Sequence, residues 1–402
     1  MLDIHQIESA AARLEGRFRH TELIHSPYYS ARLETPLYFK CENLQETGSF
    51  KIRGAYNFLA NQPAELLKRG VITASAGNHA QGVALSAALL GCTCTVVMPE
   101  ETPLAKELAT VGYGAKVIVH GSSFDDAARL ALDQAQKRGL LYVPAFDDPL
   151  IMAGQGTVGL EIVHALPELE TIIVPIGGGG LIAGIATVVK ELCPSARVVG
   201  VEAQSAACAK EARRKGSPVD LSSARSLADG IAMKRIGEQT FPIIEALVDE
   251  IVTVQEEDIA MAIVSLMEKG KMVVEGAGAV GLAAMLYGGK SIHDGLTVCV
   301  LSGGNLDVQT MSRVVERGML AEGRYLKLRL EMADVPGSLA QLSTLLSEMG
   351  ANIFQVNHDR HNALLPLGEA EVRIELETRG ASHIRDVLQA LEEGGYRPEV
   401  VR

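Results

Sequence analysis

The chain contains no tryptophan, and aromatic residues make up only 4% of its 402 residues. So few rings leave no stacking platform of the kind that binds single-stranded nucleic acid. Basic residues are also the minority, 37 lysines and arginines against 49 aspartates and glutamates, for a formal net charge of −12. Nucleic acid and anionic membrane surfaces both require a basic face, so neither is expected as a partner. The six cysteines, Cys41, Cys92, Cys94, Cys193, Cys208 and Cys299, form no C-x-x-C pair, which argues against a zinc site or redox dithiol and for a reducing compartment. Leu2 to Leu14 reads as an amphipathic helix carrying Asp3 and Glu8, without the basic and apolar regions of a signal peptide, and a cytoplasmic location is expected. One stretch, Thr171 to Val189, runs nineteen residues without a charge. Pro175 and the glycines Gly177 to Gly180 split it into two apolar halves, the pattern of a buried strand and a packed helix rather than a membrane span.

What is present is alternation. Short apolar runs at Val71 to Ala74, Cys94 to Met98, Ala115 to Val119 and Leu140 to Val143 are separated by helical segments, and further runs follow at Thr171 to Ile176, Arg197 to Glu202 and Thr297 to Leu301. This rhythm predicts an α/β fold with parallel sheets covered by helices, whose ligands bind beyond the carboxyl ends of the strands. After Gly318 the texture changes: strands near Tyr325 to Met332, Ile353 to Asp359, Glu369 to Glu377 and Arg397 to Val401 frame helices at Ser338 to Met349 and Ser382 to Leu391. That order is a β-α-β-β-α-β unit, and the expected division is a catalytic region 1–322, with a smaller subdomain at about 45–150, and a separate domain 323–402.

Two stretches stand where chemistry is possible. Lys51 falls where the strand Pro36 to Glu42 and a turn give way to a helix marked by Ile52, Ala55, Phe58 and Leu59. With Ser49 as N-cap, the positive end of the helix dipole lies beside the lysine and favours its neutral, nucleophilic form. Gly177-Gly178-Gly179-Gly180-Leu181 closes a strand and opens a helix, where consecutive glycines let backbone N–H groups crowd onto an anion.

The segment Glu42-Asn43-Leu44-Gln45 with Thr47-Gly48-Ser49-Phe50-Lys51 and Arg53-Gly54-Ala55 resembles the cofactor-lysine motif of the threonine and serine dehydratases. These are pyridoxal-phosphate (PLP) enzymes of the tryptophan-synthase β-like fold, fold type II, and the resemblance covers about Leu2 to Glu322. It implies that Lys51 holds PLP covalently, that Phe50 flanks the cofactor ring, and that Gly177 to Gly180 with Leu181 hold its phosphate. Ser302, in Ser302-Gly303-Gly304-Asn305 after the last strand, is implied to meet the pyridine nitrogen. A hydroxyl there makes the ring a weaker electron sink than an aspartate would, which favours β-elimination over transamination. The turn Ser75-Ala76-Gly77-Asn78-His79 is implied to hold the substrate carboxylate, with the Asn78 side chain on the phenolic oxygen of the cofactor, His79 structural, and Glu275 facing the same region. Asp334-Val335-Pro336-Gly337-Ser338-Leu339 and Gly350-Ala351-Asn352-Ile353 resemble an ACT domain of ferredoxin-like βαββαβ fold. That resemblance implies an amino-acid effector near Asp334, Gly337, Ser338, Leu339 and Asn352, and a homo-oligomer, a dimer or tetramer.

The expected activity is deamination of L-threonine to 2-oxobutanoate and ammonia, with L-serine as a second substrate giving pyruvate. The alternatives are a serine-preferring dehydratase or serine racemase of the same fold and, more remote, a non-catalytic amino-acid sensor. Serine racemases that resemble this chain have a second serine where Ala76 stands, and alanine has no proton to give. Gly276-Ala277-Gly278-Ala279-Val280-Gly281 is a literal dinucleotide fingerprint, but its acid, Asp294, precedes a strand instead of ending one, so a helix packed closely at the site is expected there. No metal is expected, because Cys208 stands where several relatives have a cation-ligating aspartate, and thiolate suits a hard cation poorly.

Overall fold

The computed structural model describes residues 2–288, 292–361 and 365–401. The chain divides into two compact units, 1–311 and 312–402.

The first unit holds two sheets. The smaller contains β3 (Val71–Ala74), β4 (Cys94–Met98), β5 (Lys116–Val119) and β6 (Leu141–Tyr142), all parallel in the order β5-β4-β3-β6. The larger runs β1 (Leu23–His25), β2 (Leu37–Cys41), β10 (Thr297–Leu301), β7 (Thr171–Pro175), β8 (Arg197–Ala203), β9 (Glu250–Val254). It is parallel except for the β1–β2 pair. Every residue of β3, β4, β7 and β10 is buried, which is why these strands read as unbroken apolar runs: helices cover both faces. The α/β reading therefore holds. The short edge strand β1 and the strand β9 were not anticipated; in β9 three of five residues are only partly buried, and the mixed sequence Glu250–Val254 gives a weak apolar signal.

The uncharged stretch at 171–189 forms β7 and the start of the helix Gly180–Leu192, buried almost throughout. Among the described residues no helix is long and apolar enough to cross a membrane. The glycines of the dinucleotide-like motif lie in the helix Gly276–Tyr287, where a Cβ on Gly276 would overlap Leu227 and one on Gly281 would stand 2.7 Å from Cys299 Sγ. They serve close packing of this helix against its neighbours.

The second unit follows the β-α-β-β-α-β order. Strands β11 (Tyr325–Ala333), β12 (Asn352–Asp359), β13 (Glu369–Glu377) and β14 (Glu399–Val400) form an antiparallel sheet in the order β12-β13-β11-β14. Helices Ser338–Glu348 and Ala381–Glu393 pack Leu342, Leu346, Val387 and Leu391 against Leu328, Leu330, Val372 and Ile374. Strict alternation along β11, with every second residue buried, marks a sheet covered on one face.

Candidate active site

Lys51 opens the helix Lys51–Ala60. The expected Ser49 cap is not formed. Phe50 occupies the N-cap position with helical angles of φ −58° and ψ −18° and no side-chain cap, while Ser49 Oγ is buried without a hydrogen-bond partner. The reason is tertiary: Ser49 bridges Gly303 through its backbone, and the Phe50 N–H donates to the Ser302 carbonyl at 3.2 Å. The lysine loop is thus stitched to the turn after β10. Lys51 Nζ donates to the Ala145 carbonyl at 3.2 Å and lies 5.2 Å from the centroid of the Phe50 ring. Burial lowers its pKa to about 8, opposed by the negative charge of Glu275. Loss of water around the ammonium, more than the helix terminus, supplies the neutral amine.

One cavity brings together Phe50, Lys51, Asn78, Gly177 to Gly180, Leu181 and Ser302, with Glu275 among its walls. These residues come from the carboxyl ends of β2, β3, β7 and β10, the position ligands take in such sheets. The glycine run must be glycine. A Cβ on Gly178 would overlap the Phe146 ring, one on Gly177 would stand 2.9 Å from the Ile231 Cα, and Gly179 has φ +95° as N-cap of the helix Gly180–Leu192. Thr240 Oγ1 donates to the Gly178 carbonyl at 2.8 Å, so the loop is fixed from below and the first helical N–H groups are left for an anion.

The turn after β3 divides its residues. Asn78 Nδ2 donates to Glu275 Oε1 at 2.6 Å, and Asn78 Oδ1 accepts from Asn305 Nδ2 at 2.8 Å. Ser75 Oγ accepts from the Gly77 N–H at 3.2 Å. Ala76 lines a second groove, with Thr102, Lys106 and Asp229, which shares Glu275 with the first. His79 is buried, its Nε2 3.2 Å from the Val143 carbonyl, and burial plus the charge of Lys51 pushes its pKa down to about 3. It stays neutral and packs under the sheet. Burial raises Glu275 to about 7, with Asp229 adding to the shift and the Asn78 hydrogen bond opposing it.

Phe146, Gly230 and Ile231 also line the cavity. Sequence reading missed them, since no motif marks a lone phenylalanine or a Gly-Ile pair in a loop. Glu202 accepts from the Ala209 and Lys210 N–H groups at 2.7 and 2.9 Å, so its carboxylate is engaged at the start of the helix Cys208–Lys215. Asp334, Gly337, Ser338, Leu339 and Asn352 lie in the second unit. There Asp334 pairs with Arg360 at 2.6 Å, Gly337 is the N-cap of the helix Ser338–Glu348 at φ +96°, and Asn352 donates to Glu377 at 3.2 Å.

An amine that titrates near pH 8, helix-start N–H groups beside a glycine turn, a hydroxyl and an amide in one cavity fit PLP, a ring carrying an aldehyde, a phosphate, a phenolic oxygen and a pyridine nitrogen. The pattern of the family described as "Pyridoxal-phosphate dependent enzyme" matches residues 14–303, and the chain belongs to that family. It is 56% identical over 402 residues, all of both chains, to a Geobacter sulfurreducens protein named L-threonine ammonia-lyase. Among solved structures it is similar to the processed form of threonine deaminase isoform 2 from Solanum lycopersicum, with a TM-score of 0.75 and 39% identity over 79% of this chain and 88% of that one. Maize serine racemase is also similar, with a TM-score of 0.74 and 33% identity over 79% of this chain and 98% of that one.

Proposed function

We propose that the protein is a PLP-dependent L-threonine ammonia-lyase that converts L-threonine to 2-oxobutanoate and ammonia and also accepts L-serine. The observation that carries this reading is the convergence of Lys51, the Gly177–Gly180 cradle, Asn78 and Ser302 on one cavity, together with full-length similarity to a protein of that name. Bound PLP supplies the electron sink that makes the substrate Cα–H acidic. Lys51 holds the cofactor, and its Nζ, when free and neutral, takes the α-proton. Gly177 to Gly180 and Leu181 would hold the phosphate through their N–H groups, Phe50 would flank the ring, Ser302 would hold the pyridine nitrogen and Asn78 the phenolic oxygen. Residues Ser75 to His79 form the carboxylate-binding turn, within which His79 has a packing role. The β-hydroxyl would leave with a proton as water, and addition of water to the released enamine would give 2-oxobutanoate and ammonia.

We take 1–322 as the catalytic region and 323–402 as an ACT regulatory domain that binds an amino acid near Asp334, Gly337, Ser338, Leu339 and Asn352, in a cytoplasmic homo-oligomer. The test is direct. Purified protein should take up PLP and release 2-oxobutanoate from L-threonine faster than pyruvate from L-serine, without accumulating D-serine. D-serine appearing at a rate comparable to pyruvate would replace this reading with a racemase. Isoleucine and valine are the first effectors to try, and Asp334→Ala should blunt any response to them.

A further inference from the structure

The turn after β10 carries a residue whose role the motif alone does not reveal. Asn305 Nδ2 lies 2.7 Å from the Thr47 carbonyl and 2.8 Å from Asn78 Oδ1. A backbone carbonyl only accepts, so the end of Asn305 that faces it must be the NH2 group. The second proton of that NH2 points at Asn78, where only Oδ1 can receive it. The other end of the Asn78 amide, Nδ2, is thereby turned toward Glu275 Oε1 at 2.6 Å, on the cavity wall. The direction of every bond in the chain Thr47–Asn305–Asn78–Glu275 follows from one unambiguous acceptor, so the amide orientations leave no free choice.

The surrounding backbone is shaped to hold this chain. A Cβ on Gly48 would overlap Asn305 Oδ1, and one on Gly303 would overlap the Glu275 carboxylate and stand 3.1 Å from Asn78 Nδ2. The Gly304 N–H donates to the Gly48 carbonyl at 2.9 Å and the Glu275 N–H to the Gly303 carbonyl at 3.0 Å. Three loops, from the ends of β2, β3 and β10, therefore meet at the Asn305 amide.

We propose that Asn305 is a positioning residue that sets the polarity of Asn78, so that the cavity is offered an N–H donor and not an oxygen. The consequence for the cofactor rests on the function proposed above: a donor at Asn78 attracts the phenolic oxygen of PLP, and an acceptor would repel it.

Asn305→Asp tests this. The new oxygen opposes both the Thr47 carbonyl and Asn78 Oδ1, and Asn78 relieves the clash by turning its amide over, which sets its oxygen against Glu275. Glu275→Gln then supplies a donor at that contact. In cofactor-free protein at a pH well above the Glu275 value of about 7, where that carboxylate is ionised and can only accept, Glu275→Gln should raise the melting temperature more in the Asn305→Asp background than in the wild-type background. In both Asn305→Asp proteins PLP affinity, measured by titration, should stay about tenfold weaker, because Asn78 now presents its oxygen to the cavity. Asn305→Ala, which removes the anchor without adding repulsion, should weaken PLP binding roughly threefold and show no such extra gain from Glu275→Gln. Equal effects of Glu275→Gln in the Asn305→Asp and wild-type backgrounds, or wild-type PLP affinity in Asn305→Ala, would overturn the proposal. Should Asn305→Asp fail to fold, the Asn305→Ala titration decides. A wild-type protein that takes up no PLP would defeat the functional reading instead, and the melting comparison would still report on Asn305.

Discussion

The two sides of the segment Lys51 to Arg53 treat buried charge in opposite ways. Behind the site, Arg53 meets Glu42 at 2.8 and 2.9 Å and Glu161 at 2.5 and 3.0 Å, and Lys40 meets Glu161 at 2.5 Å and the Thr21 carbonyl at 2.7 Å. Burial works against the charges of Arg53 and Glu161. The charges of Glu42 and Glu161 nonetheless hold Arg53 above its usual value, and Arg53 and Lys40 hold Glu161 below its own. In the cavity the same desolvation meets far less compensation, and it drives Lys51 down to about 8 and Glu275 up to about 7. Saturated pairing makes permanent ions that fasten the helix start, whereas sparse pairing makes groups that change protonation near neutral pH.

Lys51→Ala should separate the two sides most sharply. Turnover of L-threonine, followed as 2-oxobutanoate, should fall by at least about 10³-fold, while the urea midpoint of the cofactor-free protein stays near that of wild type. Retained turnover would remove Lys51 from the chemistry. Arg53→Met should do the converse, leaving the buried Glu42 carboxylate without its cation and Glu161 with Lys40, and costing about 3–5 kcal/mol of stability in urea unfolding. A variant as stable as wild type would show that the ion network is dispensable. Gly178→Ala forces a methyl into the Phe146 ring and should weaken PLP binding about tenfold by titration, an overpacking cost of roughly 1–3 kcal/mol. Phe146→Ala in the same protein should recover part of that loss.

The smallest effects concern pH. Capture of PLP by cofactor-free protein needs the neutral Lys51 amine, so its rate should rise with pH and level off above about 8. A rate independent of pH across that value would place the lysine outside the titrating step. For Glu275 the folded pKa is raised from 4.5 to about 7. Its contribution to stability is therefore complete below pH 4.5 and lost as pH rises through about 7. Glu275→Gln should flatten that part of the stability profile of cofactor-free protein, and an unchanged slope would mean the carboxyl is not desolvated as described.

The sequence by itself determined the local rules. Unbroken apolar runs separated by helical segments pointed to parallel strands buried on both faces, and period-two alternation in Tyr325 to Met332 pointed to a sheet covered on one. Four glycines between a strand and a helix marked a turn able to present backbone N–H groups, and the block around Lys51 carried the family resemblance. Tertiary structure decided what depends on residues far apart in the chain. Ser49 reads as a helix cap, yet the approach of the turn at Gly303 takes its backbone into a bridge and leaves the hydroxyl without a partner. The lowered pKa of Lys51 follows from burial beneath walls supplied by distant segments, and the orientation of Asn78 from Asn305, 227 residues away. Pattern and propensity act over a few residues, while desolvation and hydrogen-bond direction are set by whichever atoms the folded chain brings to one place.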